Sequence, residues 1–244
     1  LDDKPGFVPT PIPEGNLVDR HVVGKLNALR IKPSGIAGDA QFLRRVYLDL
    51  IGLQPKPDEL AAFLADTAAD KRAKVVDALF RRTEFVDRWS LKWGDLLQNS
   101  RANLNEPAVY AFREWIRTAV ATNMPLDEFV RQILTSRGGV QDDPTAAFYA
   151  VSKDADETLQ RATQVFCGVR MLCAKCHPHP FENWTQVDYY GLHSFFNQGG
   201  VKADPRLAGI PNAKMVVVNL GAGYSTNPRT GKPQPPRFLG GKEP

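Results

Sequence analysis

The strongest constraint on the fold is the spacing of apolar residues, which recur every three or four positions from about Asn16 to Gln198. This is the period of an amphipathic α-helix that buries one face. Proline, glycine and capping residues divide the pattern into short segments, so the sequence predicts many short helices. We predict helices that begin near Asn16, Asp39, Pro57, Asp70, Thr83, Pro107, Pro125, Asp156 and Thr185.

The two ends of the chain lack this period. Residues 1–15 contain four prolines and are predicted to form an extended arm. Residues 199–244 contain eight glycines and seven prolines, and only the segment Lys214 to Leu220 has the composition of a strand. The predicted fold class is therefore mainly α, with one multi-helical domain over residues 16–198 and a loop-rich, partly β extension over residues 199–244.

Charge and hydropathy exclude several classes of protein. The net charge is +4, and basic and acidic residues alternate along the chain instead of forming the basic patch of a nucleic-acid-binding protein. No run of about 18 apolar residues occurs, so no transmembrane segment is predicted. The first residues lack the pattern of a signal peptide, and we expect a processed form or a fragment.

The segment Cys173-Ala174-Lys175-Cys176-His177 is a C-x-x-C-H sequence, the attachment signal for c-type haem. Two thiols about one helical turn apart can each add to a vinyl group at the porphyrin edge. The next residue then lies beneath the ring, where an imidazole nitrogen reaches the iron. The motif predicts a covalently bound haem c with His177 as an axial ligand, on a base formed by the helix that runs into Cys173.

A structural zinc site is the alternative. Cys173, Cys176, His179 and His193 could supply four tetrahedral ligands. A thioredoxin-like redox pair is disfavoured, because that motif follows a strand in an alternating strand–helix chain. The third cysteine, Cys167, is predicted to be a buried and inert thiol.

The sixth iron ligand stays open at this point. His193 is slightly preferred to Met215, and a position held by water or left empty is a third alternative. His179 lies too close to His177 to reach the opposite face of the ring, and we expect it to donate to a haem propionate. His21 is predicted to be a packed core histidine.

Aromatic residues supply candidates for the wall of a haem pocket, although core packing is the default expectation for most of them. Trp184, Tyr189 and Tyr190 are the better candidates because they follow the motif closely in the sequence. The full set is Trp89, Trp93, Trp115, Phe181, Trp184, Tyr189 and Tyr190.

Several segments resemble a known family. "FLRRVYLDLIGLQPKPDEL", "FVDRWSLKWGDLL", "CAKCHPHPFENWTQVDYYGLHSFF" and "PRTGKPQPPRFLGG" are similar to the large, mostly uncharacterised domain of planctomycete-type cytochrome proteins. That domain commonly follows a cytochrome c domain and precedes a second uncharacterised domain. The resemblance extends from about Asn16 to Gly241, and it implies an exported bacterial protein associated with redox chemistry.

Carried over by position, Cys173, Cys176 and His177 match the family's C-x-x-C-H, and His179-Pro180-Phe181 with Trp184 matches the rest of its signature. Two features depart from the family. The given sequence contains a single haem motif, without the family's preceding cytochrome domain or the domain that usually comes after "FLGGKEP", and we expect a fragment, a processed product or a shortened relative. His193 stands where the family is expected to have a small residue, which weakens both the zinc set and an axial role for His193.

Together these observations predict an extracytoplasmic, monohaem c-type cytochrome-like subunit in electron transfer. Its expected partners are other redox proteins in a larger, membrane-associated complex, and its expected location is the periplasm. The alternative function is a structural or scaffolding subunit with a zinc site or no metal. We find no assembled set of catalytic residues, so an electron carrier or accessory subunit is preferred to an enzyme.

Overall fold

The computed structural model describes residues 6–12, 16–218 and 223–241. Within these residues the chain is predominantly helical, which confirms the predicted fold class. The α-helices are α1 (Leu17–Ala28), α2 (Asp39–Ile51), α3 (Pro57–Ala65), α4 (Lys71–Phe80), α5 (Thr83–Leu96), α6 (Glu106–Ala121), α7 (Leu126–Leu134), α8 (Ala147–Ala150), α9 (Ala155–Ala162) and α10 (Gln186–Asn197).

Capping side chains explain where several helices begin. The Asn16 carboxamide accepts hydrogen bonds from the first backbone N–H groups of α1, and Asn105 does the same for α6. Thr185, near which a helix was predicted to begin, forms a capping box with Asp188 at the start of α10. Helix α9 begins one residue before the predicted start, because Asp154 and not Asp156 is its cap.

The strands are short, and most of them were not predicted. Strands β1 (Gly138–Gly139), β2 (Gly199–Ala203) and β3 (Lys214–Val218) form an antiparallel sheet in the order β1-β3-β2. Strands β4 (Ser225–Asn227) and β5 (Lys232–Gln234) form a hairpin. The predicted strand from Lys214 is confirmed as β3, and its last two residues, Asn219 and Leu220, lie outside the described residues.

The described residues divide into two compact units. Among the described residues, the first unit comprises residues 6–12, 16–49 and 53–77, and the second comprises residues 50–52, 78–218 and 223–241. In the first unit, Asp39 accepts from Arg72 at 2.6 Å and pairs with Lys71 at 2.7 Å. The ring of Phe42 stacks on that of Phe63, with 6.1 Å between centroids.

The predicted buried stripe of α1 is wrong. No residue of α1 is buried, and Leu17 and Val18 are each 66 % exposed. His21 is also exposed and is therefore not a core histidine. The spacing of the apolar residues was correctly helical, but periodicity cannot show whether a face finds a partner.

The core of the second unit is formed by α5 to α8 and is rich in aromatic residues. Phe112 and Ile116 of α6 are fully buried, and Phe148 of α8 lies in the same cluster. Trp93 and Trp115 pack against Phe129, at 4.9 and 4.8 Å between ring centroids. Trp93 and Trp115 therefore pack in this core, as was expected for most of the aromatic residues.

The end of the chain packs on α10. The Ser194 hydroxyl donates to the carbonyl of Gln234 at 2.7 Å and accepts from the backbone N–H of Ser225 at 2.9 Å. The N–H of Arg237 donates to the Gly191 carbonyl at 3.0 Å. These contacts fasten the described part of the C-terminal segment to the helix that follows the C-x-x-C-H motif.

Candidate functional site

The helix before the motif ends earlier than predicted. Helix α9 widens into a π-helical turn over Thr163–Cys167. Gly168 then adopts φ +70°, a left-handed conformation that glycine enters without steric cost and that commonly ends helices. The helix therefore does not run directly into Cys173. A break of several residues separates them.

The motif itself begins in a 3₁₀ turn, Met171–Lys175. Because a 3₁₀ helix has three residues per turn, residues three apart lie in line on one side. Met171 and Ala174 are both fully buried and form the inner side. Cys173 lies within the turn and Cys176 directly after its last residue, and neither cysteine is buried.

All three cysteines are free thiols. Cys176 is exposed, and Cys173 is half-buried. Cys167 is exposed as well, so the prediction that it is buried is wrong, although partial burial does raise the pKa of its thiol. Cys173 and Cys176 are therefore available for a bond to another group.

His177 is exposed, and its ring is oriented by its neighbour. Nδ1 lies 2.7 Å from the carbonyl oxygen of Pro178. A carbonyl can only accept, so the contact requires the proton on Nδ1 and leaves the lone pair of Nε2 free. Metal-binding histidines commonly have this arrangement, in which one ring N–H donates to a carbonyl and the other nitrogen faces the metal.

His179 has the opposite arrangement. Its Nδ1 accepts from the backbone N–H groups of Phe181, at 3.3 Å, and Glu182, at 3.1 Å. The proton of the neutral ring is therefore on Nε2, where it can be donated. The loop is closed by the His179 N–H, which donates to the Trp184 carbonyl at 2.8 Å, and the Trp184 indole donates to Glu182 at 2.6 Å.

A polar cluster that the sequence did not reveal connects the motif to α9 and α10. The Asp156 carboxylate accepts from Lys175 of the motif at 2.7 Å and from the hydroxyl of buried Tyr189. Burial alone would raise the pKa of Asp156, but these two hydrogen bonds lower it below its usual range. Burial and the same carboxylate raise the pKa of Tyr189, so its proton is firmly held.

His193 belongs to this cluster. Its side chain is 13 % exposed, and Nε2 lies 3.4 Å from Asp156. Its Nδ1 lies 2.6 Å from the hydroxyl of Ser225. Burial lowers the pKa of His193, which favours the neutral ring. Both nitrogens are engaged, so a metal-ligand role for His193 would require these contacts to break.

Asp156, His193 and Ser225 are the residue types of a hydrolytic triad, but the ring nitrogens are exchanged, since Nε2 faces Asp156 and Nδ1 faces Ser225. Ser225 is only 6 % exposed, and its hydroxyl is held by His193. A substrate carbonyl could approach that hydroxyl only if the hairpin were displaced. The chain of contacts therefore fastens β4 to α10.

A family model matches residues 17–200, more than half of the chain, and the family is described as PSCyt2, protein of unknown function (DUF1549). The chain belongs to this family. No curated protein and no solved structure matches it. The matched PSCyt2 segment includes the C-x-x-C-H motif, Asp156 and His193, whereas Ser225 lies beyond it.

The predicted zinc ligands of this PSCyt2 domain are not gathered into one site. Among the described residues, no three or more His, Cys, Asp and Glu side chains are placed to hold a metal ion together. Met215, the other candidate for the sixth position, lies in β3, where its backbone pairs with Gly139 and Lys202.

The residues of the motif fit a covalently attached haem. Two free thiols lie three residues apart, Cys173 within the 3₁₀ turn and Cys176 directly after it, and the imidazole that follows has its Nε2 lone pair free. Trp184, Tyr189 and Tyr190 pack around buried Met171 and Ala174, so they support the motif from within. Phe181 is 91 % exposed beside it.

Proposed function

We propose that this PSCyt2 chain carries one haem c on Cys173, Cys176 and His177 and serves in extracytoplasmic electron transfer. The observation that carries the proposal is the orientation of His177, whose Nδ1 lies 2.7 Å from the carbonyl of Pro178 and whose Nε2 is thereby prepared for the iron. Cys173 and Cys176 would form the thioethers by addition across the two vinyl double bonds, each sulfur bonding to the inner vinyl carbon and each thiol hydrogen passing to the outer one. The bound group would supply reversible one-electron transfer.

The other residues of the motif have supporting roles in this proposal. His179 presents Nε2–H and can donate to a carboxylate such as a haem propionate. Trp184 packs against the cluster beneath the motif and supports the loop that carries His179. The alternatives for the iron's sixth position are His193, Met215, water or no ligand.

We further propose that the chain acts in the setting of planctomycete-type cytochrome proteins, in the periplasm and beside other redox proteins of a membrane-associated complex. Membership of the PSCyt2 family supports this setting. Among the described residues, no helix has the length and apolar character needed to cross a bilayer.

A zinc-bound scaffold is the competing proposal, and the hydrogen bonds favour it less. Zinc would need lone pairs from His179 and His193 in addition to both thiolates. The Nδ1 atom of His179 accepts hydrogen bonds from two backbone N–H groups. The two ring nitrogens of His193 face Ser225 and Asp156. Attachment of haem through Cys173, Cys176 and His177 requires no such rearrangement.

Absorption spectroscopy tests the proposal on the full chain, exported in a host that attaches haem c. We expect a Soret band and a sharp reduced α-band that survive denaturation. Cys173→Ala should leave one thioether and shift the α-band, whereas Cys167→Ala, the same change outside the motif, should leave the spectrum unaltered. No haem, with one zinc per chain by elemental analysis, would overturn the proposal.

A further inference from the structure

The C-x-x-C-H loop is held by two glutamines that approach it from different helices. Gln160 of α9 accepts from the backbone N–H of Leu172 at 3.0 Å, just before Cys173. Gln186 of α10 donates from Nε2 to the carbonyls of Lys175 and Cys176, each at 3.0 Å. One side-chain amide therefore holds the start of the loop, and the other holds its end.

The contacts of Gln186 satisfy groups that the backbone leaves open. The last carbonyls of a helical turn have no partner within that turn, and the turn here ends at Lys175. The two N–H bonds of one carboxamide can serve both carbonyls at once. Gln186 is itself buried and is the first residue of α10, where the Thr185–Asp188 capping box fixes the backbone.

The bond to the Cys176 carbonyl bears directly on His177, because that carbonyl belongs to the peptide plane that joins the two residues. The ion pair of Lys175 with Asp156, at 2.7 Å, adds a third attachment through a side chain. The loop is thus fixed on both sides of the thiols without any bound group.

We propose that Gln160 and Gln186 are positioning residues, one accepting and one donating, which hold Cys173, Cys176 and His177 in the arrangement that haem attachment requires. The effect of the two glutamines on haem attachment rests on the proposed function, whereas their hydrogen bonds to the loop do not depend on it. Gln186 contributes more to holding the loop than Gln160, because it donates two hydrogen bonds and Gln160 accepts one.

The same substitution at both positions separates the two roles. A carboxylate accepts hydrogen bonds but cannot donate them. Gln160→Glu therefore keeps the contact with Leu172, whereas Gln186→Glu loses both of its contacts and brings a carboxylate against two carbonyl oxygens. The two variants carry the same charge change beside the same loop, so each is the control for the other.

Thiol alkylation of the haem-free chain, followed by mass spectrometry, measures the hold on the loop. In Gln186→Glu we expect half-buried Cys173 to react about tenfold faster relative to Cys167, because two hydrogen bonds that resist local opening are lost. In Gln160→Glu this ratio should stay within about twofold of the wild type. Equal ratios in both variants would overturn the proposal.

The haem-loaded chain gives a second reading. Gln186→Glu should lower the fraction of chains with both thioethers and shift the midpoint potential, and Gln160→Glu should alter neither. If Gln186→Glu does not fold, Gln186→Leu replaces it, with Gln41→Leu on the exposed surface of α2 as its control. If the alkylation ratio of Cys173 to Cys167 changes in Gln186→Glu but no chain binds haem, the proposed function is refuted and the positioning role is supported. If the chains bind haem but the ratio is unchanged in both variants, the positioning role is refuted and the proposed function is supported.

Discussion

The second unit contains two regions of opposite construction, the aromatic core of α5 to α8 and the segment from Thr163 to Thr185 that carries the motif. The core is built mainly from regular helices, with Phe112 and Phe148 completely buried. The motif segment passes through a π turn, a left-handed glycine and a 3₁₀ turn, and it exposes Cys176 and His177. Packing maintains the first region, and individual hydrogen bonds maintain the second.

This difference shows why the reactive groups lie where they do. A thiol or imidazole within the core would be held by packing but closed to a ligand. In the motif segment, buried Met171 and Ala174 anchor the inner side of the turn, whereas neither cysteine of the motif is buried. Changes in the core should therefore reduce stability greatly, and changes in the motif should act mainly on function.

Matched phenylalanine substitutions test the comparison with the largest expected effect. Phe112→Ala removes a fully buried ring from the core, and we expect the free energy of unfolding to fall by about 3–5 kcal/mol. Phe181→Ala makes the same change where the ring is 91 % exposed, and its cost should be within about 0.5 kcal/mol. Urea titration measures both, and similar losses would contradict the division into two kinds of region.

A smaller effect is expected where a hydrogen bond, not packing, is removed. Tyr189→Phe keeps the buried ring but loses the hydroxyl that donates to the Asp156 carboxylate. Bonds to charged groups contribute about 1.5–3 kcal/mol, so we expect a loss of about 2 kcal/mol in thermal or urea unfolding. Tyr224→Phe, on an exposed ring, is the control and should be neutral. Equal stability of the two variants would show that the cluster contributes nothing.

The pH dependence of stability isolates His193. Burial lowers its pKa in the folded chain, so below about pH 6.5 the unfolded chain binds a proton that the folded chain does not. Its contribution is present above that pH and is lost as the pH falls toward the folded value, with a slope of up to about 1.4 kcal/mol per pH unit. His193→Gln should flatten this part of the profile, and His21→Gln, at an exposed position, should not. Parallel profiles for wild type and His193→Gln would refute this assignment.

The sequence predicted those features that depend on local pattern. Helix periodicity, the capping box at Thr185 and the strand from Lys214 follow from neighbouring residues, and the structure has all three. The C-x-x-C-H motif was visible for the same reason. The break at Gly168 was not predicted, because the stripe of Leu159, Ala162, Phe166 and Val169 continues across it in helical register.

Features that depend on distant contacts escaped prediction. Asp156 meets Lys175 and Tyr189 across 19 and 33 positions of sequence, and nothing in the local pattern marks these partners. The same holds for the two glutamines at the motif and for Ser225 at His193. The exposed stripe of α1 is the converse case, in which local pattern predicts burial but the structure supplies no covering partner in the described residues.

The smallest expected change in stability concerns the contact between α10 and the C-terminal segment. A Cβ atom added at Gly191 would lie 2.9 Å from the Cβ of Arg237, closer than two such atoms approach. Gly191→Ala should therefore displace this segment and increase tryptic cleavage after Arg237, while a gain of about 1 kcal/mol in helix propensity leaves the overall free energy of unfolding nearly unchanged. Gly24→Ala, where the added atom meets open space, should leave cleavage at the wild-type rate. Unaltered cleavage after Arg237 in Gly191→Ala would mean that the close approach at Gly191 does not hold the segment on α10.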